Sequence, residues 1–474
     1  MRIVSILLAL AACAAAKPRP NILLLCIDDL RPELHCYGVD YIHSPRIDRL
    51  ASGSRLFLSN YVQAPTCGAS RYAMLTGCYG PGNNNALFIR AKKITKGGAS
   101  YPPTLPGYFR SKGYTTVSVG KVSHHPGGWG GEDWDDLTNL EMPDSWSREL
   151  MPVGPWKNPR GAMHGLANGQ IRHDPGKMDV FQSTPGPDTI YPDGLITNEA
   201  LHQLKELSSD RDPKHKPFFL AVGIIKPHLP FGSPAKYMEP YVNAVLPPIP
   251  HPQKPEGITT WHNSFEFMMY NRHGKDPRTD PDYATVVRKH YAACVTFADT
   301  QVGRILDELH DLKLDDDTIV ILWGDHGWHL GEHDVWGKHT LFEEALRSPL
   351  MIRVPGLKSP GTPTSSMVET VDLYPTLCEL AGLDIPAGLS GRSLCPQLND
   401  PKAPGYDAYS YFNTNQTIRT ESYRLVRHRK AGKTSFIELY DHRPGHYDGE
   451  THNIAANHPD VVRSLVGKIE AHLK

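Results

Sequence analysis

The sequence predicts an α/β fold: a large, mostly parallel central sheet flanked by helices, with a small α+β subdomain at the C-terminus. Three observations carry this reading. Short apolar runs recur along most of the chain, stretches of helical periodicity lie between them, and from about Pro396 the pattern changes to short strands joined by turns. The runs at 21–27, 115–119, 217–225, 318–323 and 349–354 are apolar or β-branched without alternation, as in strands buried on both faces. Helical crossovers between them imply parallel pairing. Helices are expected over 105–112, 198–206, 283–312 and 373–381; in the third, Val287, Ala293, Phe297, Val302, Ile305 and Leu309 return at roughly helical spacing. Strands at 422–427 and 435–440 and a last helix at 459–473 form the C-terminal part. Residues 127–192 and 247–281 are rich in Pro, Gly, Trp and His with little periodicity, and loops that long commonly wall a functional site.

The 474 residues carry 50 Lys and Arg against 51 Asp and Glu. There is no basic excess to neutralise phosphates, so nucleic acid is not an expected partner. The apolar run 3–16, after Arg2 and before Lys17-Pro18-Arg19-Pro20, is too short to span a bilayer. Its basic start, apolar middle and Ala14-Ala15-Ala16 end describe a secretory signal peptide, while Leu10-Ala11-Ala12-Cys13 also fits a bacterial lipobox. No later stretch reaches membrane length, so the protein is expected to be secreted, periplasmic or lysosomal. The division read from the chain is 1–16 leader, 17–395 main domain and 396–474 C-terminal subdomain. Outside the leader and Cys67, six cysteines could form up to three bridges, Cys378 with Cys395 being the most local pair.

Asp28-Asp29 follow the first strand directly, and Asp325-His326 follow the run 318–323 after one Gly. Ligands of open α/β sheets sit beyond the carboxyl ends of the strands, so two acidic pairs there can converge on one cation. Neighbouring carboxylates repel unless positive charge lies between them, and a hard divalent ion, Ca²⁺ or Mg²⁺, meets that need. Imidazole prefers softer metals, which leaves His326 either a ligand or a neighbour of the ligands. Either pair alone is read equally well as a helix cap or a turn. Cys67 stands where a helix is expected to begin, with Arg71 one turn on, and the positive potential of both suits an anionic substrate. In isolation such a Cys is more often a small buried apolar side chain.

Cys67-Gly68-Ala69-Ser70-Arg71 resembles the sulfatase signature Cys-x-(Pro/Ala)-x-Arg, and Leu75-Thr76-Gly77 continues it. Supporting segments follow in order: Ile27 to Pro32, Ser118 to Val122, Phe218 to Gly223 with Lys226-Pro227-His228, Asp299 to Arg304, and Asp325-His326-Gly327-Trp328 with Leu330-Gly331-Glu332-His333. The chain thus resembles the sulfatase family from Asn21 to about Ala455, and within it the iduronate-2-sulfatase branch. The resemblance implies an alkaline-phosphatase-like fold and hydrolysis of a sulfated carbohydrate, with a 2-O-sulfated uronic acid at a chain end as the expected substrate. It implies that a formylglycine-generating enzyme converts Cys67 to formylglycine, and that Asp28, Asp29, Asp325 and His326 hold one Ca²⁺ together with the modified Cys67. Arg71 would hold that geometry, Lys121, His228 and Lys338 would bind the sulfate oxygens, and His124 would act as base, with His125 beside it as the alternative. One hydroxyl of the aldehyde hydrate would attack sulfur, His228 would protonate the leaving alcohol, and the second hydroxyl would expel sulfate.

Two positions depart from the pattern: Ala69 replaces the usual Pro, and Cys78 stands where the family has Arg. Rival readings are a phosphodiesterase or phosphonate hydrolase of the same superfamily, and a non-catalytic binder of sulfated glycans. A uronate substrate would need a cation for its carboxylate, and Arg160, Arg172, Lys177 and Arg272 in the two long loops are the candidates.

Overall fold

The computed structural model describes residues 19–97, 100–209, 216–256 and 262–473. The signal-peptide reading and Cys13 lie outside the described residues. Eight strands form the central sheet: β1 (Asn21–Ile27), β2 (Arg55–Tyr61), β3 (Thr115–Gly120), β4 (Arg148–Leu150), β5 (Phe218–Ile224), β6 (Thr318–Gly324), β7 (Arg347–Arg353) and β8 (Pro363–Glu369). Their order is β8-β2-β7-β6-β1-β5-β3-β4. Only β7 opposes the others, pairing antiparallel with β6 and β2, while the remaining pairs are parallel. The apolar runs became β1, β3, β5, β6 and β7. The last of these was expected to be parallel and runs the other way. The strands without an apolar run, β2, β4 and β8, lie toward the two flanks, where a sequence such as Pro-Thr-Ser-Ser-Met-Val-Glu can leave alternate side chains exposed.

The residues of β1 alternate between the two faces of the sheet. Leu23, Leu25 and Ile27 pack with α3 (Pro192–Ser209) and α4 (Pro281–Asp311), while Ile22, Leu24 and Cys26 pack with α1 (Cys67–Thr76), α2 (Leu105–Ser111) and α5 (Leu373–Leu380). Asp280 starts α4: its carboxylate accepts the Tyr283 N–H at 2.9 Å, and Pro281, whose missing N–H costs nothing there, follows it. α3 begins at Pro192, six residues before the expected start, because the periodic reading missed its small and polar first turn.

Four strands, β9 (Ala408–Phe412), β10 (Asn415–Arg419), β11 (Tyr423–Lys430) and β12 (Lys433–Asp441), form a sequential antiparallel sheet. Leu465 and Ile469 of α6 (Pro459–His472) pack on its Ile418, Leu425 and Leu439. β9 also docks on the main body: the Tyr411 N–H donates to the Gln63 carbonyl at 2.8 Å, and the Tyr411 ring packs on Ala64 and Ala69. This brings the β9–β10 turn beside the start of α1.

The described cysteines are all free. The most local candidate pair, Cys378 and Cys395, is not bridged; both residues are buried and act as small apolar side chains. Among the described residues no helix is long and apolar enough to cross a membrane.

The carboxyl ends of β1, β3, β5 and β6 come level, with Ile27 opposite Gly324 and Ile224, and Gly120 opposite Gly223. The segments that follow these strands therefore open at one edge. Gly223 is where two of them touch: a Cβ there would stand 1.9 Å from the Lys121 carbonyl carbon. Gly223→Ala is expected to force β3 and β5 apart at this end, lowering stability by about 1–3 kcal/mol and displacing Lys121. Thermal unfolding of the variant checks this, and an unchanged melting temperature would contradict the close approach.

Candidate active site

The Asp28 N–H donates to the Ile224 carbonyl at 3.1 Å, and the chain then turns through a left-handed Asp29 with φ of 56°. A non-glycine residue holds such a conformation only when its surroundings enforce it. Here the Asp29 N–H donates to Asp325 Oδ1 at 3.0 Å, and the Asp29 carbonyl accepts from the Tyr291 hydroxyl at 2.9 Å. The bend carries both carboxylates into one buried cluster with Asp325.

Three buried cations answer them. Arg71 directs Nε to Asp325 Oδ2 at 3.0 Å and Nη2 to Asp28 Oδ1 at 3.3 Å, and its Nη1 is held by the Lys121 and Val122 carbonyls. The Lys121 ammonium pairs with the other Asp28 oxygen. Lys338 Nζ lies 2.8 Å from Asp29 Oδ1, 3.3 Å from Cys67 Sγ and 3.4 Å from Glu266 Oε2. Burial works against a charged Asp28, but Lys121, His228 and Arg71 outweigh it and hold that carboxyl well below its usual range. Asp29 goes the other way, raised by burial and by Asp28 and Glu266 despite Lys338. Burial and Asp28 push Asp325 up to about 7. The cations present do not let all three carboxyls ionise together.

Further positive charge has a place to bind. Asp29 Oδ2 is buried without a hydrogen-bond partner. The His326 Nδ1–H donates to the Gly327 carbonyl at 3.0 Å, which leaves Nε2 facing Cys67 Sγ and Asp29 Oδ1, each at 3.3 Å. A second bond of this kind is what orients a metal-ligating imidazole. Ligand atoms of Asp28, Cys67, Asp325 and His326 lie within 4.8 Å of one another. A donor set so rich in carboxylate oxygen fits a hard divalent cation.

Cys67 is the first residue of α1, where the Gly68 N–H and the Thr66 hydroxyl both donate to Asn84 Oδ1. Burial, then Asp28, push its thiol well above the usual range, so the unmodified side chain is not a thiolate nucleophile. Cys78 lies just past the other end of this ten-residue helix, about 15 Å away, so the departure from the family pattern does not touch the nucleophile.

The structure separates the adjacent histidines. His125 Nδ1 bonds the buried Glu141 at 2.6 Å, whereas His124 Nδ1 is buried without a partner and its ring feels Lys121, Asp28 and Lys338. Burial, reinforced by Lys121, keeps His124 neutral. His228 donates Nδ1–H to the Leu229 carbonyl at 2.6 Å and turns Nε2 toward Glu266 Oε1 at 3.5 Å. Asp193 shapes this turn by accepting the Ile225 N–H at 2.6 Å, and the Lys226 ammonium bonds the His228 carbonyl at 3.2 Å.

Two neighbours escaped the sequence reading. Glu266 touches both Lys338 and His228, and the His164 ring lies 5.6 Å from that of His228. Both belong to the long aperiodic loops, where nothing in the spacing marks a single Glu or His. The four basic candidates are dispersed. Lys177 is 85% exposed and pairs with Asp174, Arg160 is exposed and bonds the Glu132 carbonyl, and Arg272 bonds the Lys275 carbonyl. Arg172 alone is half-buried against the site, 2.7 Å from the Tyr270 hydroxyl. Burial first, then Arg172, Lys121, Lys226 and Arg160, hold His164 well below its ordinary range.

Comparison with known proteins agrees with this geometry. The profile of the sulfatase family matches residues 20–383, and that of the N-sulphoglucosamine sulphohydrolase C-terminal region matches residues 331–474. The chain belongs to the sulfatase family. This sulfatase is 35% identical to iduronate 2-sulfatase of Mus musculus over 407 residues, covering 77% of this chain and 69% of that one. Its fold matches the phosphonate monoester hydrolase SpPMH of Silicibacter pomeroyi with a TM-score of 0.72, at 22% identity, over 96% of each chain. BT1596, a 2-O GAG sulfatase, matches with a TM-score of 0.66 at 19% identity, over 96% of this chain and 92% of that one. The fold is thus the α/β alkaline-phosphatase-like one that the resemblance implied, and the activity class is sulfuric ester hydrolysis.

The orphaned Asp29 oxygen and the raised carboxyls lead to an expectation about metal. Exhaustive removal of divalent ions should lower the melting temperature, and Ca²⁺ should restore it, by about 2.7 kcal/mol at a hundred times Kd. Identical melting curves in chelator and in Ca²⁺ would contradict a cation at this cluster.

Proposed function

We propose that this sulfatase removes the 2-O-sulfate from a uronic acid at the end of a glycan chain, acting outside the cytoplasm after its leader is cleaved. The observation that carries the reading is Cys67 at a helix start, within 3.3 Å of both Lys338 Nζ and His326 Nε2, in a chain 35% identical to an iduronate 2-sulfatase. Asp28, Asp29, Asp325 and His326 would hold one Ca²⁺, which would add positive charge against the sulfate oxygens. Conversion of Cys67 to formylglycine by a formylglycine-generating enzyme would supply a hydroxyl to attack sulfur and a second to free the residue afterwards.

This chain's own side chains do the rest. Lys121, Lys338 and the end of α1 face the anion and stabilise the charge that grows on its oxygens as the ester bond breaks. Arg71 binds no substrate; its bonds to Asp28 and Asp325 fix the carboxylates relative to Cys67. His228 has Nδ1 committed to a carbonyl, so Nε2 is the atom that would carry a proton to the leaving alcohol; burial, with Lys121 and Lys338 against Asp28, holds the ring well below its ordinary range, so the proton has to be taken up with the substrate bound. His124, neutral and with Nδ1 unpartnered, would accept a proton from the nucleophile residue. Arg172, 2.7 Å from the Tyr270 hydroxyl, would be the cation for the uronate carboxylate.

The rival phosphonate or phosphodiester chemistry shares the fold of SpPMH and is separated by activity. Cys67→Ala is expected to keep the fold and to lose turnover of aryl sulfates, while the parent prefers aryl sulfate over a phosphonate monoester. A Cys67→Ala variant with parental activity, or a parent that prefers the phosphonate, would overturn the assignment. For specificity, Arg172→Ala should lower kcat/KM on a 2-O-sulfated uronate roughly ten- to hundredfold, the loss of one charge-assisted hydrogen bond of about 1.5–3 kcal/mol, and spare a small aryl sulfate. Equal treatment of both substrates would remove the uronate assignment.

A further inference from the structure

A recess of about 220 Å³ is lined from both parts of the chain. His262, His339 and Thr340 come from the main body, and Phe412, Asn413 and His428 from the C-terminal sheet. It adjoins the site in two ways. His339 directly follows Lys338, whose ammonium lies 3.3 Å from Cys67 Sγ. Phe412 follows Tyr411, whose ring packs on Ala64 and Ala69 on either side of Cys67.

Among the described residues the lining contains no Asp, Glu, Lys or Arg, and the Lys254 ammonium behind it is engaged with the His262 carbonyl at 3.4 Å. An acid close behind it, Glu438, is fully buried and already satisfied: the Nε2–H groups of His262 and His428 both donate to its Oε2 at 2.8 Å, and the Tyr440 hydroxyl donates to Oε1 at 3.2 Å. His262 Nδ1 accepts the Leu341 N–H at 3.4 Å, which fixes the tautomer with its proton on Nε2. That tautomer turns no lone pair toward Glu438, so the His–Glu–His group is a rigid wall rather than a metal site. On the other side the His339 ring stacks on Phe412, with centroids 5.3 Å apart and planes at 22°. Asn413, exposed at the tip of the β9–β10 turn with φ of 54°, offers an amide that no other described role uses.

We infer that this recess is a subsite for the sugar next to the one that bears the scissile sulfate, held through uncharged groups: hydroxyl, ring oxygen or acetamido. The inference rests on the glycan reading above and deepens it. A space of 220 Å³, below the 300–1,000 Å³ of sites for drug-sized molecules, suits a single ring. None of the described lining residues is a cation, so a sulfate on the neighbouring sugar finds no ion pair among them.

The test compares kcat/KM of the Cys67-converted protein on a small aryl sulfate, a 2-O-sulfated uronate monosaccharide, and that uronate linked to an unsulfated or a sulfated hexosamine. The variants are Phe412→Ala and Asn413→Gly, the second deleting the amide at a position where Gly adopts the same backbone without strain. The parent is expected to prefer the unsulfated disaccharide over the monosaccharide by about tenfold, mainly through KM, and to gain nothing from the added sulfate. Both variants should lose most of that preference and keep parental activity on the aryl sulfate and the monosaccharide. A parent indifferent to the second sugar, variants that keep the preference, equal losses on every substrate, or a sulfated hexosamine bound better would each overturn the subsite and leave the sulfatase assignment standing. Failure to cleave any sulfated uronate while aryl sulfate is hydrolysed would remove the glycan reading, and the subsite with it.

Discussion

The structure depends on keeping three carboxyl groups and three cations together out of water. Asp28, Asp29 and Asp325 meet Arg71, Lys121 and Lys338 with every side chain essentially buried, and desolvating each ion costs several kcal/mol by rough reckoning. Geometry alone offsets that cost. Four parallel strands end level, each delivers one charged segment, and the Gly223 contact lets the Lys121 backbone approach closely enough for its ammonium to reach Asp28. A hydrophobic replacement of the same volume would fold as well or better, which is the physical ground for regarding the cluster as chemical machinery rather than as scaffold.

The same cluster explains the identity of the residue at position 67. A buried thiol beside Asp28 is held protonated, and so is inert where a nucleophile is needed. The hydrated aldehyde proposed for this position would offer two hydroxyls on one carbon, one to attack sulfur and a second to free the residue afterwards. Lys338 then serves two partners, Asp29 and the group at position 67, while Glu266 tempers it from the loop side. The C-terminal sheet enters this arrangement through Tyr411, which rests on the segment leading into α1. The two parts of the chain therefore meet beside the start of α1.

Much of this was legible because the chemistry is written in short local patterns. The Cys67-to-Arg71 spacing, the acids directly after β1 and β6, and the unbroken apolar runs of the inner strands each need only a few consecutive residues to be recognised. What was missed is non-local or on the flanks. Glu266 and His164 reach the site from loops with no period, the choice between His124 and His125 turned on the distant Glu141, and β2, β4 and β8 carry polar residues because they lie toward the edges of the sheet. The antiparallel direction of β7 is also invisible in its composition, since a buried strand reads the same either way. The cysteine pairing failed for a related reason: nearness in sequence suggested a bridge between Cys378 and Cys395, whereas core packing uses both as apolar side chains.

The central claim is that Cys67 is the seat of a sulfatase reaction after conversion to formylglycine. Mass analysis of the proteolytic peptide containing Cys67, from active protein made in a host that has the converting enzyme, tests it most directly. The account predicts a peptide in which the Cys67 sulfur has been lost and one aldehyde oxygen gained, in a fraction that rises and falls with specific activity on aryl sulfate. An intact Cys67 thiol throughout a fully active preparation would contradict it.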